Sequence, residues 1–147
     1  MGFYPERGGI VVESAVSIMF AAAMILGGLD LVRLVYHSAS MQYVLSRAAR
    51  WGSLGQVMPN PANPAVNLSR EESIRHQMNL MGDLVGLNFS DATITICPET
   101  HSNCSPNNAG GPNESFVIKV SKPTSILLNV SSVTLTAEAV GRNEPYA

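Results

Sequence analysis

A chain of 147 residues, 46% hydrophobic and 14% charged with a formal net charge of -2, holds one domain plus an appendage but not two full domains. Its mean hydropathy is positive and its charged fraction lies below the ~25% usual in soluble domains, so some apolar residues should meet lipid rather than a small core. Nine Lys and Arg with no block among them lack the clustered cations that nucleic-acid binding needs, and no nucleic-acid partner is expected.

The apolar excess is localised near the N-terminus. Residues 14–29 carry no charge, and the run Ser-Ala-Val-Ser-Ile-Met-Phe-Ala-Ala-Ala-Met-Ile-Leu-Gly-Gly-Leu is bounded by Glu13 and Asp30. Extended back through Ile10, Val11 and Val12 it reaches about 20 residues, the length that crosses a bilayer's hydrocarbon core as a helix. Gly27 and Gly28 are poor helix formers in water but are tolerated in membranes. There small residues, here together with Ala21, Ala22 and Ala23, permit close helix approach. A cleavable signal peptide fits poorly: Glu6-Arg7 stands in place of a charged n-region, a carboxylate opens the apolar run, and no small-x-small site precedes a polar segment.

Helical character continues past Asp30, with no proline before Pro59. One helix over residues 9–51 would be about 60 Å long, roughly twice the membrane's apolar thickness. Its second half must therefore project into water and dock against its own globular domain or against neighbouring subunits. Leu29, Val32, Tyr36, Ala39 and Tyr43 recur at three- and four-residue steps and share one face. Gly52-Ser53 ends the helix.

Residues 55–67 contain Pro59, Pro61 and Pro64 with interleaved Asn and read as a loop without helix or sheet. Ser69-Arg-Glu-Glu72 is a capping box opening a helix to about Leu84. Its apolar stripe, Ile74, Met78, Met81 and Val85, reads as core rather than as a methionine metal site. From Asp91 the period changes to two, over residues 92–97, 115–120 and 133–138, with residues 126–130 a candidate fourth strand. Residues 98–113 form a long loop. The expected fold class is α+β: a long N-terminal helix, a second helix and a small antiparallel sheet of three to four strands.

Cys97 and Cys104 close a small ring at a strand end. In an oxidising compartment they form a disulfide; in cytosol they would be free thiols. A metal reading through His101 lacks a second ligand pair, so no metal is expected. His37, His76 and His101 are scattered, and no Gly-x-Ser-x-Gly elbow, phosphate-cradling Gly loop or His-Glu-x-x-His is present. Neither catalysis nor a cofactor is expected.

Glu13 is the most informative residue. A carboxylate in a membrane span costs about 2.5–3.5 kcal/mol at the centre and less near an interface, so it is usually paired or functional. The run Arg7-Gly8-Gly9-Ile10-Val11-Val12-Glu13 has the layout of a class III prepilin signal, in which the peptidase cuts after a glycine and the fifth mature residue is Glu. With the apolar helix that follows, Leu-x-Arg-Leu-x-Tyr at Leu31 to Tyr36, Ala-Ala-Arg at Ala48 to Arg50 and the ending Arg142-Asn-Glu-Pro-Tyr146, the chain resembles the TadE-like pseudopilins of tight-adherence (Flp, type IVc) pili.

That resemblance implies a pilin-like fold and the division 1–8 leader, 9–31 transmembrane half of the long helix, 32–52 its extramembrane half, and 53–147 α+β domain. It implies prepilin peptidase and other pilin and pseudopilin subunits as partners, with Gly8 and Gly9 flanking the scissile bond. Cleavage would create an α-amino group on Gly9, cationic at neutral pH, and Glu13 would pair with that group on an adjacent subunit. Ser14 departs from the family pattern, which commonly has a bulky residue after the Glu. The implied location is the bacterial inner membrane, single-pass, with the C-terminal domain periplasmic and the subunit either entering a surface pilus or assisting its assembly in adhesion. Positive-inside counting opposes this orientation, because Arg33, Arg47 and Arg50 follow the span. The cytoplasmic position of a prepilin peptidase site and the oxidising space a disulfide requires override it. The alternative expectation is an anchored periplasmic binding or accessory module outside the filament, holding a partner through residues 98–113.

Overall fold

A computed structural model describes residues 7–99, 108–126 and 131–145. The apolar run and its polar continuation form one uninterrupted helix, α1 (Arg7–Ser53), about 70 Å long at 1.5 Å per residue. It stops at the expected Gly52-Ser53. Just beyond, Gly55 takes a positive φ of 68° and donates its N–H to the Gly52 carbonyl at 3.1 Å.

The proline-rich segment departs from expectation. Instead of a bare loop it forms a two-stranded antiparallel ribbon, β1 (Pro59–Asn60) and β2 (Asn63–Asn67). A two-stranded ribbon has free edges throughout, so prolines without a donor cost it little. The asparagines close it: Asn60 Oδ1 accepts from Ala62 N at 2.9 Å. The Ser73 hydroxyl accepts from Met58 N at 3.0 Å and ties the segment to the next helix.

That helix, α2 (Arg70–Leu84), starts with the expected capping box, the Ser69 hydroxyl accepting from Glu72 N while the Glu72 carboxylate accepts from Ser69 N. It ends in a Schellman arrangement. Leu87 N donates to Gly82 O at 2.8 Å and Gly86 N to Asp83 O at 3.2 Å, with Gly86 at φ 69° where a side chain would be strained.

Three strands follow, β3 (Thr93–Pro98), β4 (Ser115–Ile126) and β5 (Ser131–Arg142), in the antiparallel order β3-β4-β5. Of the candidate fourth strand at residues 126–130 only Ile126 is described, as the last residue of β4 paired with Ser131; residues 127–130 lie outside the described residues. β4 runs well past the expected residue 120. β3 stops opposite Ser121, so Pro123 sits where β4 has only β5 beside it and one side of the strand is free of partners.

α1 and α2 pack on this sheet. Met41, Val44, Leu45, Ala48 and Ala49 of α1, Ile74 and Met78 of α2, and Phe116, Ile118 and Val120 of β4 form the buried core with Leu87, Phe89 and Ile96. Phe116 is closely surrounded. A Cβ on Gly141 would come within 2.6 Å of its ring, and the Arg70 guanidinium lies 5.4 Å from its centroid. Docking of α1 on its own domain is observed, but through the face bearing Met41 and Leu45. The stripe of Leu29, Val32, Tyr36, Ala39 and Tyr43 stays exposed. Both faces are apolar enough to dock, and the sheet covers one of them.

α1 and β5 run side by side in the same direction. Leu135 lies beside Leu34 to Gln42, the Gln42 amide donates to Glu138 O at 3.0 Å, and Gly141 lies against Ala49. The head therefore grips the second half of α1 only. The C-terminal ends of β4 and α2 lie nearest the apolar half.

Candidate functional site: the uncovered apolar helix

From Gly9 to Leu29 every residue of α1 is exposed, and the helix is long and apolar enough to cross a membrane. None of its most apolar stretch is buried against the rest of the chain. Ile10, Val11, Val12, Ile18, Met19, Phe20, Met24 and Ile25 are each more than 60% exposed. Such a surface on a soluble domain would cost several kcal/mol in water at about 25 cal/mol per Å², so this half of α1 has an environment outside the domain.

Gly8 and Gly9 lie in the first described turn of α1. Glu13 follows Gly9 by four residues, which places the two on the same side of the helix about 6 Å apart along its axis. Among the described side chains no ion pair involves Glu13. Ser14 donates its hydroxyl to Ile10 O at 2.6 Å; this back-bond satisfies the hydroxyl within the helix, so the departure from a bulky residue adds little polar cost in an apolar setting.

Ala21, Ala22, Ala23, Gly27 and Gly28 are all exposed. A Cβ added to Gly9, Gly27 or Gly28 would meet nothing within 4 Å. The glycines of the head are different: a Cβ on Gly82 would lie 2.5 Å from Leu87 O, and on Gly52 2.7 Å from Ile74 Cδ1. Gly52 and Gly82 serve the fold, whereas the small residues of α1's apolar half contact nothing in this chain.

Cys97 is buried at the end of β3 and disulfide-bonded; its expected partner Cys104 lies outside the described residues, as does His101. The loop's second half is held by a buried network that sequence reasoning missed. Asn143 donates to Ala109 O at 2.9 Å and to Gly111 O at 2.7 Å, accepts from Arg70 Nη2, and Glu71 accepts from Ala109 N at 2.9 Å. Glu144 N donates to Ser53 O at 2.9 Å. The only signal was the polar tail Arg142-Asn-Glu-Pro itself. Residues 108–111 are thus pinned to the head.

Among the described residues no group of three or more His, Cys, Asp or Glu could hold a metal ion. Comparison with protein-family models, with curated proteins and with solved structures returns no match.

Proposed function

We propose that this chain is a membrane-anchored minor pilin, similar to the TadE-like pseudopilins of tight-adherence type IV pili. In this reading residues 9–31 of α1 span the bacterial inner membrane, the head lies on the periplasmic side, and prepilin peptidase cuts between Gly8 and Gly9. The observation that carries it is the wholly uncovered half of α1, whose single charge over residues 9–29 is Glu13. An anchor alone needs no carboxylate there. A subunit that packs its helix among identical or related helices gains a register from one, if the new Gly9 amine of a neighbour meets it.

Gly8 and Gly9 suit the cleavage step. Both lie in a helical turn, and two glycines make that turn the cheapest in α1 to unwind into the extended form a peptidase reads. The exposed small residues suit close helix packing. The second reading, an anchored accessory module that stays outside the filament, shares the span and differs in whether α1 meets lipid alone or other pilin helices.

Co-expression with a prepilin peptidase tests the proposal. A mass loss corresponding to residues 1–8, abolished by Gly8→Ala, is expected. Glu13→Ala should insert in the membrane yet fail to cross-link to other subunits. Unprocessed protein that still supports piliation would sink the reading.

A further inference from the structure

On both α1 and β4 the face that packs inward turns polar toward the end nearest the apolar helix. Along β4 the inward residues are Phe116, Ile118 and Val120, then Lys122 and Thr124, all buried. Along α1, stepping back by fours from the buried Leu45 and Met41, come the half-buried His37 and then Arg33, which is exposed at the rim. Polar residues at core positions without an apolar substitute mark function more often than accident. These residues line a cleft of about 260 Å³, closed on the third side by the connection from α2 to β3 that carries Asn88 and Asp91. Its size is below the roughly 300–1,000 Å³ of drug-sized sites and suits a small group.

Two polar atoms there are buried without a hydrogen-bond partner, Nδ1 of His37 and Oγ1 of Thr124. Thr124 is only 5% exposed. Leaving such atoms unpaired is costly, and a bound group with acceptor oxygens would satisfy them. Lys122 is paired with Asp91, and Arg33 adds a further cation, so with His37 neutral the cleft carries one net positive charge. Asp30, one turn before Arg33, does not line it. Arg33 stands two residues beyond Leu31, the end of the span, about 3 Å along the helix axis. That lies within the headgroup layer, roughly 5–7 Å thick on each side of the hydrocarbon core.

We infer that the cleft between Arg33, His37, Lys122 and Thr124 binds a phosphate-type monoanion, supplied at this depth by the headgroup of an anionic phospholipid. The depth assignment rests on α1 spanning the membrane; the chemistry of the cleft does not. A bound headgroup would fix the height and tilt of the head on the bilayer, because the cleft joins α1 to the sheet.

The test uses the full chain in lipid nanodiscs, reading the thermal unfolding midpoint of the head. Phosphatidylcholine discs are compared with discs containing phosphatidylglycerol, and with phosphatidylcholine discs plus inorganic phosphate at chloride-balanced ionic strength. A rise of a few degrees with phosphatidylglycerol alone is expected, largely lost in Arg33→Gln, whose side chain is exposed, and in the near-isosteric Thr124→Val. Arg50→Gln, a cation away from the cleft, should keep the rise. A rise with inorganic phosphate alone would overturn the lipid assignment and leave a free-oxyanion site. No rise in either arm, or a rise that both cleft variants retain, overturns the site altogether. Failure of the chain to insert into discs would remove the spanning reading, while the phosphate arm on the same protein in solution still decides the cleft.

Discussion

Tyr36 donates its hydroxyl to the Val85 carbonyl at 3.1 Å, joining α1 just beyond its apolar half to the C-cap of α2. The bond lies on the same side of the head as the cationic cleft, where the last turn of α2, the start of β3 and the end of β4 converge on α1. It fastens the head at the end nearest the apolar half of α1, whereas the apolar core fastens it from Met41 onward. Tyr36→Phe should lower stability by about 0.5–1.5 kcal/mol, measured by denaturant unfolding in detergent. Increased hydrogen exchange confined to residues 84–88 would show that the end loosens while the core holds.

Asn143 makes the larger structural contribution. It satisfies two loop carbonyls and one Arg70 donor from a buried position. Asn143→Ala should cost about 2–4 kcal/mol, since three partners lose their bond at once. Unchanged unfolding would mean that water replaces the amide.

Glycines separate the two surfaces of this protein. Gly82→Ala places a methyl against Leu87 O and the Phe89 ring and should destabilise the head by about 1–3 kcal/mol. Gly27→Leu meets nothing within the chain and should leave head unfolding unaltered. If α1 packs against other helices, it should nonetheless reduce cysteine cross-linking between subunits. Equal cross-linking in Gly27→Leu and wild type would argue for an anchor surrounded by lipid.

His37 and Asp91 give the cleft a pH dependence of defined sign. Burial, and then the charges of Arg33 on α1 and Lys122 on β4, hold His37 below its ordinary value near 6.5; Asp91 faces the same cleft from the connection between α2 and β3. The unfolded chain therefore binds the His37 proton more readily, and stability present above about pH 6.5 is lost as pH falls through and below it. Arg33→Gln should shrink that loss, read from unfolding midpoints between about pH 5 and 7.5.

Lys122 hydrogen-bonds Asp91 and pulls its carboxyl below the usual 3.8. Its contribution is present above that value and fades as pH falls below it. Because Asp91 is half exposed, added salt should weaken the effect. Asp91→Asn should flatten the acid limb below about pH 4 while leaving the His37 region in place.

Where local pattern decides conformation, the sequence sufficed. The uncharged run over residues 14–29, the Ser69 capping box and the alternation after Asp91 each constrain their own backbone, so the long helix, the second helix and three strands were legible. The ribbon at Pro59 was not, because proline forbids a central strand but not an edge, and edge status is a property of neighbours. Nor could periodicity tell which apolar face of α1 would dock. Leu29, Tyr36 and Tyr43 were as plausible as Met41, Leu45 and Ala48 until the sheet occupied one side.

The sequence by itself determined that an apolar helix with one carboxylate near its start precedes an α+β domain, since those features follow from residue type and spacing along one element. Only the tertiary structure decided that this helix half is left wholly uncovered, that Asn143 ties the tail to a distant loop, and that Arg33, His37, Lys122 and Thr124 meet in one cleft. Arg33 and Thr124 stand 91 positions apart in the chain, and only the parallel course of α1 and β5, which turns the far end of β4 toward the end of the head nearest the apolar half of α1, brings these residues together.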